Sequence, residues 1–94
     1  MPRYLIQRDL PNIGQASQED LSNAAKKSNE VLAAMQSENK AISWQSSFVS
    51  DDKTFCVYES ESEALIHEHA KRSGFPANNI TEIKTDISPA TASD

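Results

Sequence analysis

The stretch SFVSDDKTFCVYESESEALIHEHAKRSGFP, residues 47–76, gives the strongest indication of the fold of this chain. Its first half belongs to two alternating runs, residues 41–51 and 53–60, that meet at the turn-forming pair Asp51 and Asp52. Alternation on both sides of such a turn predicts a β-hairpin. Strict alternation divides the side chains of the first hairpin strand between two faces. One face would hold Ile42, Trp44, Ser46 and Phe48, and the other would hold Ser43, Gln45, Ser47 and Val49.

The second half of the stretch predicts a helix over residues 60–73. Apolar residues recur there at helical spacing, and a serine at its start can serve as the N-cap. Gly74 and Pro76 follow the last helical residue, and both are typical of a helix end. Lys71 and Arg72 lie in the last turn, where positive charge complements the helix dipole.

Outside this stretch, three further patterns complete the fold. Residues 3–10 and 79–88 are typical of strands, and residues 17–38 form an amphipathic helical pattern with a serine cap. The order β-α-β-β-α-β predicts an α+β, ferredoxin-like domain, with a four-stranded antiparallel sheet and both helices on one face. We expect one domain over residues 1–88 and a flexible C-terminal tail over 89–94.

The helix-free face of this sheet is also expected to carry large apolar side chains. In the second hairpin strand, Phe55 and Val57 alternate with Cys56 and Tyr58, so both faces hold apolar groups. A sheet covered by helices on one side needs only one apolar face. The extra face predicts packing against a second copy, which gives a sheet-to-sheet homodimer of the dimeric α/β barrel type.

The composition excludes several classes of function. The chain has 94 residues and a formal net charge of −5, which argues against a nucleic-acid-binding protein. It has no apolar run near the length of a membrane span and no signal-peptide pattern, so a soluble, cytoplasmic protein without a membrane partner is expected. Its single cysteine, Cys56, cannot form a disulfide within the chain.

Both histidines lie in the predicted second helix, two positions apart. Two helical residues at this spacing point to different sides, so His67 and His69 cannot chelate one ion from a regular helix. His69 shares a side with Leu65 and Ile66 and is expected to face the sheet, whereas His67 faces solvent. His69 is then either a hydrogen-bonded core residue or a ligand or active-site group, and His67 is either a solvated residue or part of a surface metal site with a carboxylate.

Three other positions have metal-ligating chemistry. Cys56 is expected to be a small buried residue, or a soft ligand if it faces the cavity of the dimer. Asp51 and Asp52 most simply form the hairpin turn, with a hard-cation site as the alternative. The sequence has no phosphate-binding loop and no Ser-His-Asp arrangement.

The same stretch resembles a family of small bacterial domains, long described as of unknown function, whose characterised member is a nickel-binding protein. The first strand, YLIQRDLP, is similar to the family's first strand as well. The resemblance rests on these matching residues: Trp44, Ser47, Val49, Asp51, Asp52, Lys53, Cys56, Val57, Tyr58, Glu68, His69, Ala70, Gly74, Phe75 and Pro76.

The resemblance implies a ferredoxin-like subunit that dimerises through its sheet and binds nickel. Three departures bear on the metal. Phe48 and Phe55 stand where tyrosines are common, Ser46 stands where some members have a histidine, and His67 falls where an arginine often lies.

These observations support three hypotheses of function. The first is a small, non-catalytic homodimer that binds a divalent metal ion, with nickel as the expected ion. The second is a small-molecule-binding protein or enzyme that uses His69 in a cavity between sheet and helices. The third is a structural dimerisation module without a ligand. For the first hypothesis, His69 is the main candidate ligand, and the others are His67, Glu68, Cys56, Asp51 and Asp52.

Overall fold

The computed structural model describes residues 1–92 and confirms the predicted α+β, ferredoxin-like order. The strands and helices are β1 (Arg3–Asp9), α1 (Gln18–Ser37), β2 (Ile42–Val49), β3 (Lys53–Ser60), α2 (Glu63–Ser73) and β4 (Asn79–Ile83). Short 3-10 turns cover Ile13–Gln15 and Pro89–Thr91. The four strands form one antiparallel sheet in the order β2-β3-β1-β4. Within the described residues, neither α1 nor α2 is both long enough and apolar enough to span a lipid bilayer.

Local chemistry sets the ends of both helices. The side chain of Ser17 accepts a hydrogen bond from the backbone N–H of Asp20 at 3.0 Å, which caps α1 as its sequence predicts. The second helix begins at Glu63, because Ser60 still belongs to β3 and its buried hydroxyl donates to the carbonyl of Ser62. It ends at Ser73 and is capped by Gly74, whose φ of 82° is left-handed and costs glycine little.

The core lies between one face of the sheet and the two helices. Ile6 of β1 and Cys56 of β3 are paired across the sheet, and Tyr4 and Tyr58 are paired two positions further along. The helices cover these side chains with apolar residues, most deeply Met35 of α1. The buried apolar side chains of the core are Tyr4, Ile6, Val31, Leu32, Met35, Ile42, Cys56, Tyr58 and Ile66.

A β-bulge in β2 overturns the expectation of strict alternation. Trp44 is paired with Tyr58, but Ser46, rather than Gln45, is paired with the next residue of β3. The extra residue shifts the later side chains to the opposite face. Phe48 therefore lies on the helix-free face of the sheet. The residues of β2 on the face covered by the helices are Ile42, Trp44, Ser47 and Val49. The indole N–H of Trp44 donates to the hydroxyl of Ser47 at 2.8 Å, which places both on one side.

The last strand is shorter than the predicted run of 79–88. β4 ends at Ile83, which is paired with Arg3, the first residue of β1. The residue before Arg3 is Pro2, which has no backbone N–H and whose carbonyl already accepts from Ser60 of β3, so the ladder with β4 stops there. Ile87, expected in the strand, is exposed. Residues 93 and 94 of the predicted tail lie outside the described residues.

Candidate functional site

The inward histidine lies at the junction of both helices and the sheet. His69 is 1% exposed, and its Nε2 lies 3.0 Å from the hydroxyl of Ser28 in α1. Its ring is tilted against the ring of Tyr58 with 5.2 Å between the centroids. The prediction that His69 faces the sheet is therefore confirmed, and the hydroxyl of Ser28 is also 3.3 Å from the phenol oxygen of Tyr58.

The surroundings of His69 favour its neutral form. Burial lowers the pKa of its imidazole to about 4, and the positive charge of Arg8 contributes to the same shift. Burial likewise raises the pKa of the Tyr58 phenol, which keeps it protonated. The cluster of Ser28, Tyr58 and His69 is thus an uncharged hydrogen-bonding group at neutral pH.

Arg8 is the charged residue of this region. It is 3% exposed, and its guanidinium carbon lies 5.9 Å from the centre of the Tyr58 ring. Its NH1 group donates to the carbonyl of Pro76 at 2.9 Å and, at 3.4 Å, to that of Phe75. Its NH2 group is closed off from water and has no hydrogen-bond partner in the part of the chain that the structure describes. A buried guanidinium whose NH2 group lacks an acceptor destabilises the folded state, because burial removes water from this donor and no protein acceptor replaces it.

Arg8 lines a cavity of about 310 Å³ between α1 and the sheet. Its walls are mainly apolar or aromatic side chains: Leu10, Ile13, Leu21, Ala24, Ala25, Trp44, Val49, Cys56, Tyr58 and Phe75. Ser28 and Tyr58 also contact His69, which itself is not among the lining residues. Ser28 and Tyr58 therefore lie between the cavity and His69.

His67 lies on the opposite, exposed side of α2. Its side chain is 60% exposed, and its Nε2 lies 3.4 Å from a carboxylate oxygen of Glu63, whose side chain is 57% exposed. The two residues are four positions apart, which places them on one helix face. The prediction that His67 faces solvent is confirmed, and it has a carboxylate beside it.

Glu68 is engaged in ion pairs on the surface. Its carboxylate lies 2.7 Å from the ammonium of Lys40 and 2.8 Å from the guanidinium of Arg72. Arg72 also pairs with Glu38, which joins the end of α1 to α2. Hydrogen bonds from Lys40 and then Arg72 lower the pKa of Glu68. One of its carboxylate oxygens, Oε2, thus already has two cationic partners.

Asp51 and Asp52 lie in the hairpin turn, where they hold the preceding 3-10 turn. The carbonyls of Asp51 and Asp52 accept from the backbone N–H groups of Gly14 and Leu10, each at 2.9 Å. The side chain of Asp52 accepts from the backbone N–H of Asn12 at 2.8 Å. Cys56 is buried, and its thiol lies 3.8 Å from the hydroxyl of Thr54.

The six predicted metal-ligating residues are thus distributed over the core, the hairpin turn and the outer side of α2. Among residues 1–92, no group of three or more His, Cys, Asp or Glu side chains is arranged to hold a metal ion. The described residues of a single chain therefore offer pairs of metal-donor side chains, such as His67 with Glu63, but no complete set of ligands for a metal ion.

Sequence reasoning missed Arg8 and Ser28. Arg8 follows Tyr4 and Ile6 at a spacing of two, which could have marked it as an inward-facing cation of β1. Ser28 lies on the stripe of α1 that continues with Val31 and Met35, which could have marked an inward-facing hydroxyl. Neither pattern indicates that the two residues approach the same cavity.

Comparison with known proteins shows which solved structure and which protein family this chain is similar to. The crystal structure of SCO4226 from Streptomyces coelicolor A3(2) matches it with a TM-score of 0.72 and 15% sequence identity, covering 90% of this chain and 99% of that one. At this identity the likeness shows the fold alone. No curated protein matches significantly. A family model described as nickel responsive protein SCO4226-like matches residues 4–83, most of the chain. The chain belongs to the SCO4226-like family of nickel responsive proteins.

Proposed function

We propose that this protein is a small, non-catalytic metal-binding protein that binds nickel as a homodimer. The observation that carries the proposal is the family match over residues 4–83, because the family is described as nickel responsive. Direct binding is the simplest way for a small domain to respond to an ion.

The exposed pair of His67 and Glu63 is the half-site that we propose for the ion. It supplies an imidazole nitrogen and a carboxylate oxygen at 3.4 Å from each other. Nickel accepts both donor types, and selectivity among similar metals depends on geometry and ligand type rather than on raw affinity. Two donors occupy only part of a coordination shell, so water or a second copy of the chain completes it.

We assign the first ligand to His67 rather than to His69 on electrostatic grounds. The charge of Arg8 is close enough to His69 to lower its pKa, so the same charge repels a divalent cation. The imidazole of His69 is also 1% exposed and already has Ser28 as a partner. Glu68 is held by Lys40 and Arg72, which argues against it as the second donor.

The helix-free face of the sheet is the surface that we propose for dimerisation. Phe48 is 64% exposed there, and it is paired with Phe55 across β2 and β3. Leu5 and Val57 form the adjoining apolar pair of β1 and β3, and Ile83 lies in β4 on the same face. Apolar side chains on neighbouring strands form a continuous surface, and such surfaces are typical of protein interfaces.

Isothermal titration with nickel chloride tests the ligand assignment. We expect saturable binding by the wild type, and weaker binding by His67→Asn and Glu63→Gln. His69→Asn is the matched control, because it removes the other imidazole of the same helix and should leave stoichiometry and affinity unchanged. Loss of binding in folded His69→Asn, with binding retained in His67→Asn, would reverse the assignment. Absence of nickel binding by the wild type would refute the proposed function.

A further inference from the structure

The guanidinium of Arg8 is a buried charge that has no counter-ion among residues 1–92. It is 3% exposed, and within residues 1–92 no carboxylate forms an ion pair with it. Its partners are the carbonyls of Pro76 and Phe75 and the face of Tyr58, and its NH2 group has no acceptor. Buried arginines are usually paired, because dehydration of a charge costs more than neutral acceptors return.

The groups around Arg8 supply no negative charge. The cavity that it lines contains neither Asp nor Glu. His69 is neutral in this environment, and the phenol of Tyr58 stays protonated. An anion that enters the cavity would therefore meet one positive charge and no repulsion from its walls.

We propose that the cavity binds a small apolar monocarboxylate whose carboxylate pairs with the guanidinium of Arg8. A guanidinium binds a carboxylate through short, charge-assisted hydrogen bonds, which are stronger than bonds between neutral groups. The aromatic and aliphatic walls, including Trp44 and Phe75, fit an apolar body. A site with mostly apolar lining and one fixed polar group is typical of small-molecule recognition.

The dimensions of the cavity limit the ligand. A volume of about 310 Å³ lies at the lower end of the range for ligand pockets, so the apolar body must be compact. The NH2 group is shielded from water, so a carboxylate reaches it only after at least one side chain of the wall moves. This site is separate from the exposed face of α2, and the proposal is independent of nickel binding.

Titration of metal-free protein with phenylacetate and phenylacetamide tests the proposal. The two probes have the same apolar body and differ in charge. We expect the wild type to bind phenylacetate at least about tenfold more tightly, because only phenylacetate has a carboxylate that forms charge-assisted hydrogen bonds with the guanidinium. Hexanoate, an aliphatic carboxylate, should bind at the same site. Chelator in the buffer excludes binding of the carboxylate to a metal ion.

Two variants separate the charge from the cavity. Arg8→Met keeps an extended side chain without charge and should abolish the preference for phenylacetate over phenylacetamide. Ala25→Leu fills part of the cavity, leaves Arg8 in place and should weaken binding of both probes. Amide spectra establish that each variant is folded. If Arg8→Met does not fold, Arg8→Lys and Ala25→Leu decide the result, since the lysine variant keeps the charge and should retain a preference for the carboxylate.

Several outcomes would overturn the proposal. These are equal affinity of the wild type for the two probes, an unchanged carboxylate preference in Arg8→Met, and unchanged phenylacetate affinity in folded Ala25→Leu. Absence of saturable binding of both phenylacetate and hexanoate would also overturn it. In that case the guanidinium serves only to hold the carbonyls of Phe75 and Pro76 against β1.

Discussion

The hydroxyl of Ser28 in α1 lies 3.0 Å from Nε2 of His69 in α2, and this contact joins the two helices inside the core. The same hydroxyl lies 3.3 Å from the phenol oxygen of Tyr58 in β3. One small side chain thus connects three elements of the fold. Each of the three residues is at most 4% exposed, so their polar groups depend on each other for partners.

We predict that Ser28→Ala destabilises the protein by about 1–3 kcal/mol, since the buried imidazole of His69 loses its partner. Urea denaturation measures the change. Ser22→Ala is the matched control, because Ser22 lies on an exposed part of the same helix and should change stability by no more than about 0.5 kcal/mol. Equal effects of the two substitutions would contradict the structural role of the contact.

We predict that stability falls as the pH falls from about 6.5 to about 4. The folded protein lowers the pKa of His69 to about 4, against about 6.5 in an unfolded chain. Between these values the unfolded state binds the extra proton, so acid favours unfolding. The contribution of His69 is complete above about pH 6.5, and its loss amounts to about 3 kcal/mol by pH 4.

Urea denaturation of metal-free protein at several pH values measures this slope. Arg8 from β1 and Tyr58 from β3 are the charged or titratable groups that face His69, and burial raises the pKa of the Tyr58 phenol, which keeps it above this range. His69→Asn should flatten the profile, whereas His67→Asn, which changes an exposed imidazole of the same helix, should leave it steep. A steep profile in His69→Asn would assign the effect to other groups.

We predict that Phe48→Asp converts the proposed homodimer to a monomer. The side chain of Phe48 lies on the helix-free face of the sheet, and a carboxylate buried between two apolar faces is strongly unfavourable. Light scattering coupled to size exclusion should show the mass fall by about half, the arithmetic of a symmetric dimer. Ile87→Asp is the control, because Ile87 is also apolar and exposed but lies beyond β4. A monomeric wild type would refute the sheet-to-sheet dimer.

We predict that Gly14→Ala destabilises the protein by about 1–3 kcal/mol through a steric clash. A Cβ at this position would lie 2.8 Å from the Cα of Asp51 and 2.9 Å from the carbonyl oxygen of Ser50. Both contacts are with backbone, so the 3-10 turn has to move away from the hairpin. Thermal denaturation measures the loss.

We predict a cost of about 1–2 kcal/mol for Gly74→Ala, which has a different cause. Gly74 has a left-handed φ of 82°, and no atom lies within 4 Å of its added Cβ. Only conformational strain acts there. If Gly74→Asn, which tolerates this conformation better, were as unstable as Gly74→Ala, strain would not be the cause.

Periodicity predicted the parts of this fold that depend on neighbours along the chain. His69 shares a helical side with Leu65 and Ile66, which correctly predicted that its imidazole is buried. His67 is two positions away from His69, so its ring was correctly predicted to face outward. The alternation of β2 failed at Gln45, because a bulge depends on pairing with β3 and leaves no mark in the local pattern.

The order of the elements and the buried side of each helix can be predicted from the sequence, because both follow from local hydrophobic periods. The approach of Arg8, Ser28, Tyr58 and His69 to one another beside an apolar cavity is visible only in the folded chain. Their approach depends on strand register and on the position of two helices against the sheet. These relationships join residues far apart in the chain, and no local spacing encodes them.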